Sequence, residues 1–285
     1  MRVRGRLTMR MGRRRPLLAS TALLALLALA LAIAGGDGER QRTLRVFAAS
    51  SLDEALPTLI KRFEAGRPGV EVGPVYGGSQ LLATQVEEGA PADVLLAANG
   101  AQAERLVSAG LAARLLPFAA NALVAVVPEE SPITSYKELA EGGLRIAVGA
   151  PDVPVGALTR TALALLDPAI AEGIAGNVVT EDPSVRIVLS RLELGEVDAA
   201  FVYETDAARG RSPDERALRA LPLPAAVPLN EYVAVLLDEA DADAGPDADG
   251  AAFLDFLAGE KAQALLRAVG FRAAEPSSAA GPASP

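Results

Sequence analysis

Short β-rich runs alternate with amphipathic helical stretches along most of this chain, and no other sequence feature constrains its fold so strongly. Such alternation is typical of an α/β fold with largely parallel sheets. It therefore predicts short strands separated by helices. The predicted strands are Leu44–Ala48, Val70–Val75, Asp93–Ala98, Ala122–Val127, Arg145–Gly149, Asn177–Thr180, Ala199–Tyr203 and Tyr232–Leu237.

Apolar residues at helical spacing predict the intervening helices, several of which stop at a glycine. Pro57 lies inside the first pattern, where it should kink the helix or shift its start. The acidic segment Asp238–Ala251 is predicted to be a solvated loop, and residues 274–285 a disordered tail. The predicted helical stretches are Leu52–Phe63, Leu81–Val86, Ala101–Ala109, 157–165 and Val185–Leu194.

Residues 1–34 are typical of an export signal peptide. A basic region with seven arginines and no acid precedes an apolar run at residues 17–34, which ends in the cleavage pattern Ala32-Ile33-Ala34. The alternative is a retained anchor, because 18 apolar residues barely span a bilayer. The chain has no cysteine to carry a lipid, so we expect a periplasmic protein.

The rest of the chain is acidic. Of 27 basic side chains seven lie in residues 1–34, which leaves 20 against 36 acidic ones and a net charge of −16. A surface this acidic argues against nucleic-acid binding. The 285 residues include no histidine and no cysteine. This excludes Ser-His and Cys-His catalytic pairs, disulfides and metal sites built on these residues.

Four segments share a pattern in which a strand or loop ends, small or hydroxyl residues follow, and a helix begins. A helix N-terminus offers unpaired N–H groups and a partial positive charge. Several aimed at one point could hold a dianion without lysine or arginine. In so acidic a protein, an anion site must depend on such short-range donors in a closed pocket. The segments are Phe47–Glu54, Tyr76–Ser79, Pro151–Gly156 and Asp182–Val185.

The same residues also have purely structural interpretations. Ser51 with Glu54 three positions later matches a capping box. Asp182 fits an N-cap, with Pro183 at the first helical position and Val185 at the third. A serine can do both, because its oxygen can accept from a helix N–H while its proton points at a ligand.

Tyr203 is a further candidate. Of the tyrosines at positions 76, 136, 203 and 232, it alone is predicted at the carboxyl end of a strand, where α/β proteins bind ligands. The alternative is a half-buried strand tyrosine without a ligand.

Four longer segments together resemble a known family. In order and spacing, from about Leu44 to Phe271, they resemble the periplasmic molybdate-binding proteins of ABC importers. The resemblance implies an α/β, two-lobe type II periplasmic binding protein fold with a ligand cleft between the lobes. The first lobe would comprise residues 41–122 and 227–273, and the second residues 123–226. The segments are FAASSLDEAL, YGGSQLLATQVEEGAPADVLLAA, LRIAVGAPDVPVGALTRTAL and EDPSVRIVLSRLELGEVDAAFVYETDA.

The resemblance also implies which residues hold the ligand. Ser51 and Ser79 correspond to the family's hydroxyl and backbone donors from the first lobe. Val155 and Val185 correspond to backbone N–H donors from the second lobe, and Tyr203 to a phenol donor. The molybdate oxyanion would be bound through these groups, with no direct ligation of the metal.

The resemblance predicts a protein that captures molybdate and delivers it to an ABC transporter permease. Tungstate, of nearly the same size, should bind as well. Donors without a carboxylate suit a fully deprotonated dianion and reject phosphate, whose O–H would lack an acceptor. The alternative is a protein of this fold that binds sulfate, thiosulfate or another small anion. We expect no cofactor, no nucleic-acid partner and a monomer.

An enzyme is the least supported interpretation. Without histidine, a Ser51 nucleophile would need a lysine, and neither Lys61 nor Lys137 lies in a motif that aims it there. The chain contains neither G-x-S-x-G nor G-x-x-x-x-G-K-[ST]. Ferric-iron capture in this fold often uses neighbouring tyrosines, and Tyr203 has no adjacent one.

Overall fold

A computed structural model describes residues 42–208, 217–238 and 246–274. The predicted export signal and nearly all of the predicted tail lie outside these residues. The strands are β1 (Arg42–Ala49), β2 (Val70–Gly77), β3 (Val94–Ala97), β4 (Ala112–Asn121), β5 (Leu123–Pro128), β6 (Ile146–Gly149), β7 (Val178–Asp182), β8 (Ala199–Tyr203), β9 (Leu218–Pro222) and β10 (Asn230–Leu237).

Helices pack around these strands, together with short 3-10 turns at Ser50–Leu52 and Tyr136–Ala140. In the ranges that the structure describes, no helix has the length and apolar character needed to cross a membrane. The α-helices are α1 (Ala55–Glu64), α2 (Ser79–Glu87), α3 (Gly100–Ser108), α4 (Pro154–Ala164), α5 (Pro168–Gly176), α6 (Val185–Glu193), α7 (Glu204–Ala208), α8 (Pro246–Ala258) and α9 (Glu260–Ala268).

The described strands form two five-stranded sheets of the same design. The first has the order β2-β1-β3-β10-β4 and the second β7-β6-β8-β5-β9. In each, three parallel strands lie beside an antiparallel pair. Because parallel strands end at the same edge, each sheet presents three carboxyl ends to one side, where α/β proteins place ligands.

Each sheet has its own apolar core. One cluster of buried side chains draws only on residues 123–221, whereas the other two draw on residues 44–119 and 232–271. The strands β3, β5, β6 and β8 are buried along their whole length, as expected for strands covered on both faces. The chain therefore folds as an α/β protein with two lobes.

The chain passes from the first sheet to the second between Asn121 and Leu123, and returns between Pro222 and Asn230. Asn121 and Asn230 are paired across β4 and β10, so the two crossings begin and end side by side. After the second crossing, β10 lies in the first sheet, between β3 and β4.

All eight predicted strands are present, and two further strands, β4 and β9, were missed. β4 contains Pro117, which is paired with Val233 beside a register shift. A proline inside an apolar run argues against a strand unless pairing is irregular there. β9 is a short strand at the sheet edge, and most of its residues are partly or fully exposed.

The first helical pattern is divided in two. The 3-10 turn Ser50–Leu52 comes first, and α1 begins only at Ala55. Pro57 therefore falls in the first turn of α1, where its missing N–H removes no helical hydrogen bond. The expected shift of the helix start is confirmed.

The prediction of a solvated loop over Asp238–Ala251 is wrong from Pro246 onward, where α8 begins. Asp249 on this helix is buried and pairs with Arg42 at 2.8 Å and with Arg67 at 2.9 Å. Acidic composition indicated exposure, but partners more than 180 positions away in sequence allow this carboxylate to be buried.

We predict that two glycine substitutions in α5 change stability in opposite directions. A Cβ at Gly173 would lie 2.6 Å from the carbonyl oxygen of Ala140 and 2.7 Å from its Cβ, whereas one at Gly176 would contact nothing within 4 Å. Gly173→Ala should destabilise by about 1–3 kcal/mol through overpacking. Gly176→Ala should be neutral or stabilise by up to about 1 kcal/mol. Urea unfolding would measure both, and equal effects would contradict the packing at Ala140.

Candidate functional site

A cleft lies where the carboxyl ends of strands from both sheets meet. All five predicted ligand residues line it, and its empty space, partly open to solvent, is about 210 Å³. The structure thus brings the five together, while their role as ligands stays a prediction. The lining residues are Ala49, Ser50, Ser51, Gly77, Gly78, Ser79, Ala98, Val153, Pro154, Val155, Ser184, Val185 and Tyr203.

Ser79 is the first residue of α2, directly after the end of β2 and the N-cap Gly78. It is 1% exposed, and its Oγ accepts a hydrogen bond of 3.0 Å from the Ala98 N–H at the end of β3. Since that bond engages the oxygen, the hydroxyl proton is left to point elsewhere. Ser79 can therefore act as a donor toward the cleft.

Ser51 lies in the 3-10 turn after β1 and does not cap a helix. N-cap positions there are held by Ala49 and Glu54, neither with a side-chain cap bond, so the predicted capping box is wrong. Because Pro57 shifts the start of α1 to Ala55, Ser51 lies too far before the helix to accept hydrogen bonds from the backbone amides of α1. Its Oγ instead accepts a buried 2.9 Å hydrogen bond from the Tyr232 hydroxyl.

The second lobe contributes the starts of α4 and α6. Pro154 opens α4 after the N-cap Val153, three residues before the predicted helical stretch. Val185 opens α6, and the N-cap is Ser184, whose Oγ accepts from the Ile187 N–H at 3.4 Å.

The predicted N-cap Asp182 is therefore wrong, and Val185 is the first helical residue, not the third. Asp182 is the last residue of β7, and its carboxylate pairs with Arg191 at 3.1 Å. Ser184 was missed because Asp182-Pro183 matched a cap and first-turn proline equally well. A hydroxyl residue immediately before Val185 was the signal that could have identified it.

Unpaired backbone amides converge on the cleft. The first intrahelical bonds run from Leu82 N–H to the carbonyl of Gly78, from Ala157 N–H to that of Val153, and from Ile187 N–H to that of Ser184. The N–H groups of Ser79, Val155 and Val185 precede those bonds, so they have no helical acceptor. Three helix N-termini thus present donors and partial positive charge to one space.

Gly156 allows α4 to begin where it does. A Cβ at this position would lie 2.0 Å from the carbonyl oxygen of Ala150 and 2.3 Å from that of Gly149. Only glycine lets the first turn of α4 pack this closely against the end of β6. The glycine thus serves close packing inside the helix.

Tyr203 ends β8, is 1% exposed, and lines the cleft. Among the described residues, nothing hydrogen-bonds to its hydroxyl. Burial, with smaller contributions from Tyr232 and Asp206, raises the pKa of Tyr203 well above its usual value. The phenol therefore keeps its proton and is a donor. Buried hydroxyls without a partner are rare in proteins, so an acceptor is expected in the cleft.

None of the described residues that line the cleft is charged. The nearest charged cluster lies beside Ser51, where Arg186 on α6 pairs with Asp53 and lies 3.6 Å from Asp206. This cluster was not predicted from the sequence, since its members are up to 153 positions apart.

Side-chain contacts that join the lobes include two beside the cleft. Arg186 from the second lobe pairs with Asp53 from the first. The Gln80 side-chain amide donates to the carbonyl oxygen of Pro183 at 2.9 Å. Both contacts connect groups that would separate if the lobes moved apart, so this arrangement is a closed one.

Asp206 lies behind the cleft and is completely buried. Its carboxylate accepts from the Tyr203 N–H at 3.2 Å. Burial raises the pKa of Asp206 to about 7, against the lowering effects of Arg186 and the Tyr203 N–H. The charges of Asp53 and Glu54 add to the increase.

Residues 44–272 match the family model described as bacterial extracellular solute-binding protein. The chain belongs to this family. The match covers both lobes and every residue that lines the cleft. The family resemblance predicted from the sequence is confirmed.

Among curated relatives, the molybdate-binding protein ModA of Mycobacterium tuberculosis is 40% identical over 175 residues, which cover 60% of this chain and 65% of that protein. The match thus spans slightly less than two thirds of that relative. The molybdate-binding protein ModA of Escherichia coli is 29% identical, with 86% of this chain and 94% of that protein covered.

Among solved structures, the periplasmic molybdate-binding protein of Azotobacter vinelandii has a TM-score of 0.65 and 25% identity, with coverage of 81% of this chain and 100% of that one. The sulfate-binding protein SubI of Mycobacterium tuberculosis has a TM-score of 0.68 and 20% identity, with 82% and 88% covered. The second likeness shows the fold alone. The predicted two-lobe type II periplasmic binding protein fold is confirmed.

We predict that Asp206→Asn flattens the pH dependence of stability between about pH 4 and pH 7. The folded protein holds the Asp206 proton more tightly than the unfolded chain, so ionisation across this window disfavours the folded state. The wild type should lose about 2–4 kcal/mol relative to the variant as the pH rises. Asparagine keeps an oxygen to accept from Tyr203. Parallel pH profiles in urea unfolding would contradict the prediction.

Proposed function

We propose that this protein captures molybdate outside the cytoplasm and delivers it to the membrane permease of an ABC transporter. The observation that carries the proposal is the buried hydroxyl of Tyr203, which finds no hydrogen-bond partner in the described ranges and faces a small cleft together with the amides at three helix starts. We choose molybdate as the proposed ligand because the curated relatives are named as molybdate-binding proteins. Tungstate, with the same charge and nearly the same size, is proposed to bind as well.

The polarity of the cleft favours a fully deprotonated oxyanion. Ser51 and Ser79 have their oxygens occupied by Tyr232 and by the Ala98 N–H, and the Tyr203 phenol and the backbone amides donate. Of the described lining residues, none brings a carboxylate. A protonated oxyanion would therefore bury an O–H without an acceptor, which costs about 1–3 kcal/mol. Phosphate should be rejected on this ground.

The size of the cleft favours a small inorganic ion. Pockets for organic ligands of drug size generally have about 300–1,000 Å³, and this cleft has about 210 Å³ including space open to solvent. Several charge-assisted hydrogen bonds of about 1.5–3 kcal/mol each are enough for micromolar to nanomolar affinity.

Lobe closure would enclose the ligand. We assign residues 41–122 and 227–273 to the first lobe and residues 123–226 to the second, with the paired crossings at Asn121–Leu123 and Pro222–Asn230 as the hinge. The separate apolar cores support this division. Hinge closure over a ligand is a common mode of domain motion.

The proposal also covers where the protein acts, its oligomeric state, and whether it has a cofactor or enzymatic activity. The protein acts in the periplasm after export, as a monomer, without a cofactor and without enzymatic activity. Membership of an extracellular solute-binding family supports export and binding. In the ranges the structure describes, no cluster of acidic residues could hold a metal ion, so the ligand is proposed to be the intact oxyanion.

Calorimetric titration with molybdate, tungstate, sulfate and phosphate tests the proposal. We expect tight binding of molybdate and tungstate, weaker binding of sulfate and none of phosphate. Ser79→Ala should weaken molybdate binding about 10-fold to 100-fold, because a charge-assisted hydrogen bond is lost. Absence of binding for all four oxyanions would overturn the proposed function, and a preference for sulfate would favour the alternative ligand.

Tyr203→Phe should change affinity and stability in opposite directions. Molybdate affinity should fall about 10-fold or more, because the phenol donor is lost. Stability without ligand should be unchanged or higher, because a buried hydroxyl without a partner is removed. Tyr136→Phe, a tyrosine that packs against the second core away from the cleft, is the matched control. A loss of stability without loss of affinity would assign Tyr203 a structural role.

Asp53→Asn should accelerate release of molybdate. The variant loses the ion pair with Arg186 that joins the lobes, which at this exposure contributes about 0.2–1 kcal/mol. Stopped-flow dissociation should therefore become about 1.5-fold to 5-fold faster, with little change in association. The control is Glu87→Gln, which breaks a pair with Arg105 inside the first lobe. Equal dissociation rates in both variants would rule out a role of Asp53 in closure.

A further inference from the structure

Tyr232 lies beneath the cleft without lining it. It belongs to β10, is completely buried, and its hydroxyl lies 2.9 Å from Ser51 Oγ. Its ring makes edge contacts with three aromatic rings: Phe118 at 6.2 Å, Tyr203 at 6.0 Å and Phe271 at 5.3 Å between centroids. These contacts from both lobes hold the ring in place, so the phenol is fixed opposite one serine.

The direction of this hydrogen bond follows from the groups around the phenol. Burial together with the charge of Asp206 raises the pKa of Tyr232 above its usual value, against the lowering effect of its hydrogen bond with Ser51. The phenol therefore stays protonated. In this bond the Tyr232 hydroxyl is the donor and Ser51 Oγ is the acceptor.

This direction restricts what Ser51 can do. A serine hydroxyl has one proton and can otherwise donate or accept as its surroundings require. With one lone pair of its oxygen accepting from Tyr232, the Ser51 proton points away from the phenol and is available to the cleft. Ser79 is restricted in the same way by the Ala98 N–H, but there the restraint is a backbone group that no substitution removes. Tyr232 is the side chain through which this property can be changed.

We propose that Tyr232 is a positioning residue that sets ligand selectivity: by donating to Ser51 Oγ, it makes the Ser51 hydroxyl a donor toward the cleft and so favours fully deprotonated oxyanions over protonated ones. The inference rests on the proposed function and deepens it. Tyr232 touches no ligand itself, and it acts through Ser51. Without its hydroxyl, Ser51 could turn and accept a hydrogen bond from a protonated oxyanion.

The test is the ratio of molybdate affinity to hydrogen phosphate affinity at one pH for the wild type and Tyr232→Phe. Molybdate is titrated by calorimetry, and phosphate, for which direct titration of the wild type should show no binding, is measured by its competition with molybdate at high phosphate concentration. Phenylalanine keeps the ring and its aromatic contacts. We expect molybdate affinity to fall about 3-fold to 10-fold, while phosphate affinity holds or rises, so that the ratio drops at least 10-fold. An equal loss for both anions would show a merely structural role and overturn the inference.

A double-mutant cycle shows whether the effect passes through Ser51. In a Ser51→Ala background, Tyr232→Phe should leave the ratio unchanged, because the hydroxyl that it positions is absent. Tyr136→Phe should leave the ratio unchanged in the wild-type background. An equal drop in the ratio with and without Ser51 would overturn the inference.

The outcomes separate this inference from the proposed function. If the wild type binds no oxyanion, the function itself fails. If the wild type binds molybdate and folded Tyr232→Phe keeps the wild-type ratio, the function stands and the role of Tyr232 fails.

Should Tyr232→Phe not fold, 3-fluorotyrosine at position 232 keeps the shape of the side chain, and its hydroxyl is a stronger hydrogen-bond donor. The ratio should then rise, and an unchanged ratio would overturn the inference.

Discussion

Hydrogen-bond donors from two sheets point into one uncharged cleft, and the rest of the structure is arranged around that constraint. A protein body of charge −16 repels anions at long range, so an anion can be held only by groups at contact distance. The backbone amides of Ser79, Val155 and Val185, in the first turns of three helices, provide such groups at the carboxyl ends of parallel strands. Both sheets share one design because both must present these ends to the same space.

The donors are directional because groups behind them occupy their oxygens. Ser79 is restrained by a backbone amide and Ser51 by Tyr232, while burial keeps Tyr203 protonated. An interior that is poor in water makes such orientation effective, since an unpaired polar group there is costly. The cleft can then discriminate between anions of equal charge by whether the anion carries a proton. A positively charged side chain would discriminate between such anions much less.

Local patterns in the sequence were sufficient for the α/β class and all eight predicted strands, because apolar runs define buried strands. Small or hydroxyl residues marked the helix starts, and the family resemblance supplied five of the residues that line the cleft. Contacts between distant segments were not predictable in this way. Ser51 and Tyr232 are 181 positions apart, and Asp53 and Arg186 are 133 apart. The N-cap at Ser184 was misplaced because Asp182 satisfied the same local rule, and Asp182 is occupied by Arg191 instead.

The position of β10 between β3 and β4 determines the order in which the lobes can be completed during synthesis. All strands of the second sheet lie within residues 123–222, so that lobe has its whole core as soon as those residues have emerged. The first sheet has a gap until Asn230–Leu237 arrives, and among the described strands β4 pairs with β10 alone. Since domains generally fold as units in the order of their appearance, the lobe encoded in the middle of the chain should fold before the lobe that begins it. A nascent chain stopped short of residue 230 would thus expose an unpaired strand edge, which is a site of aggregation.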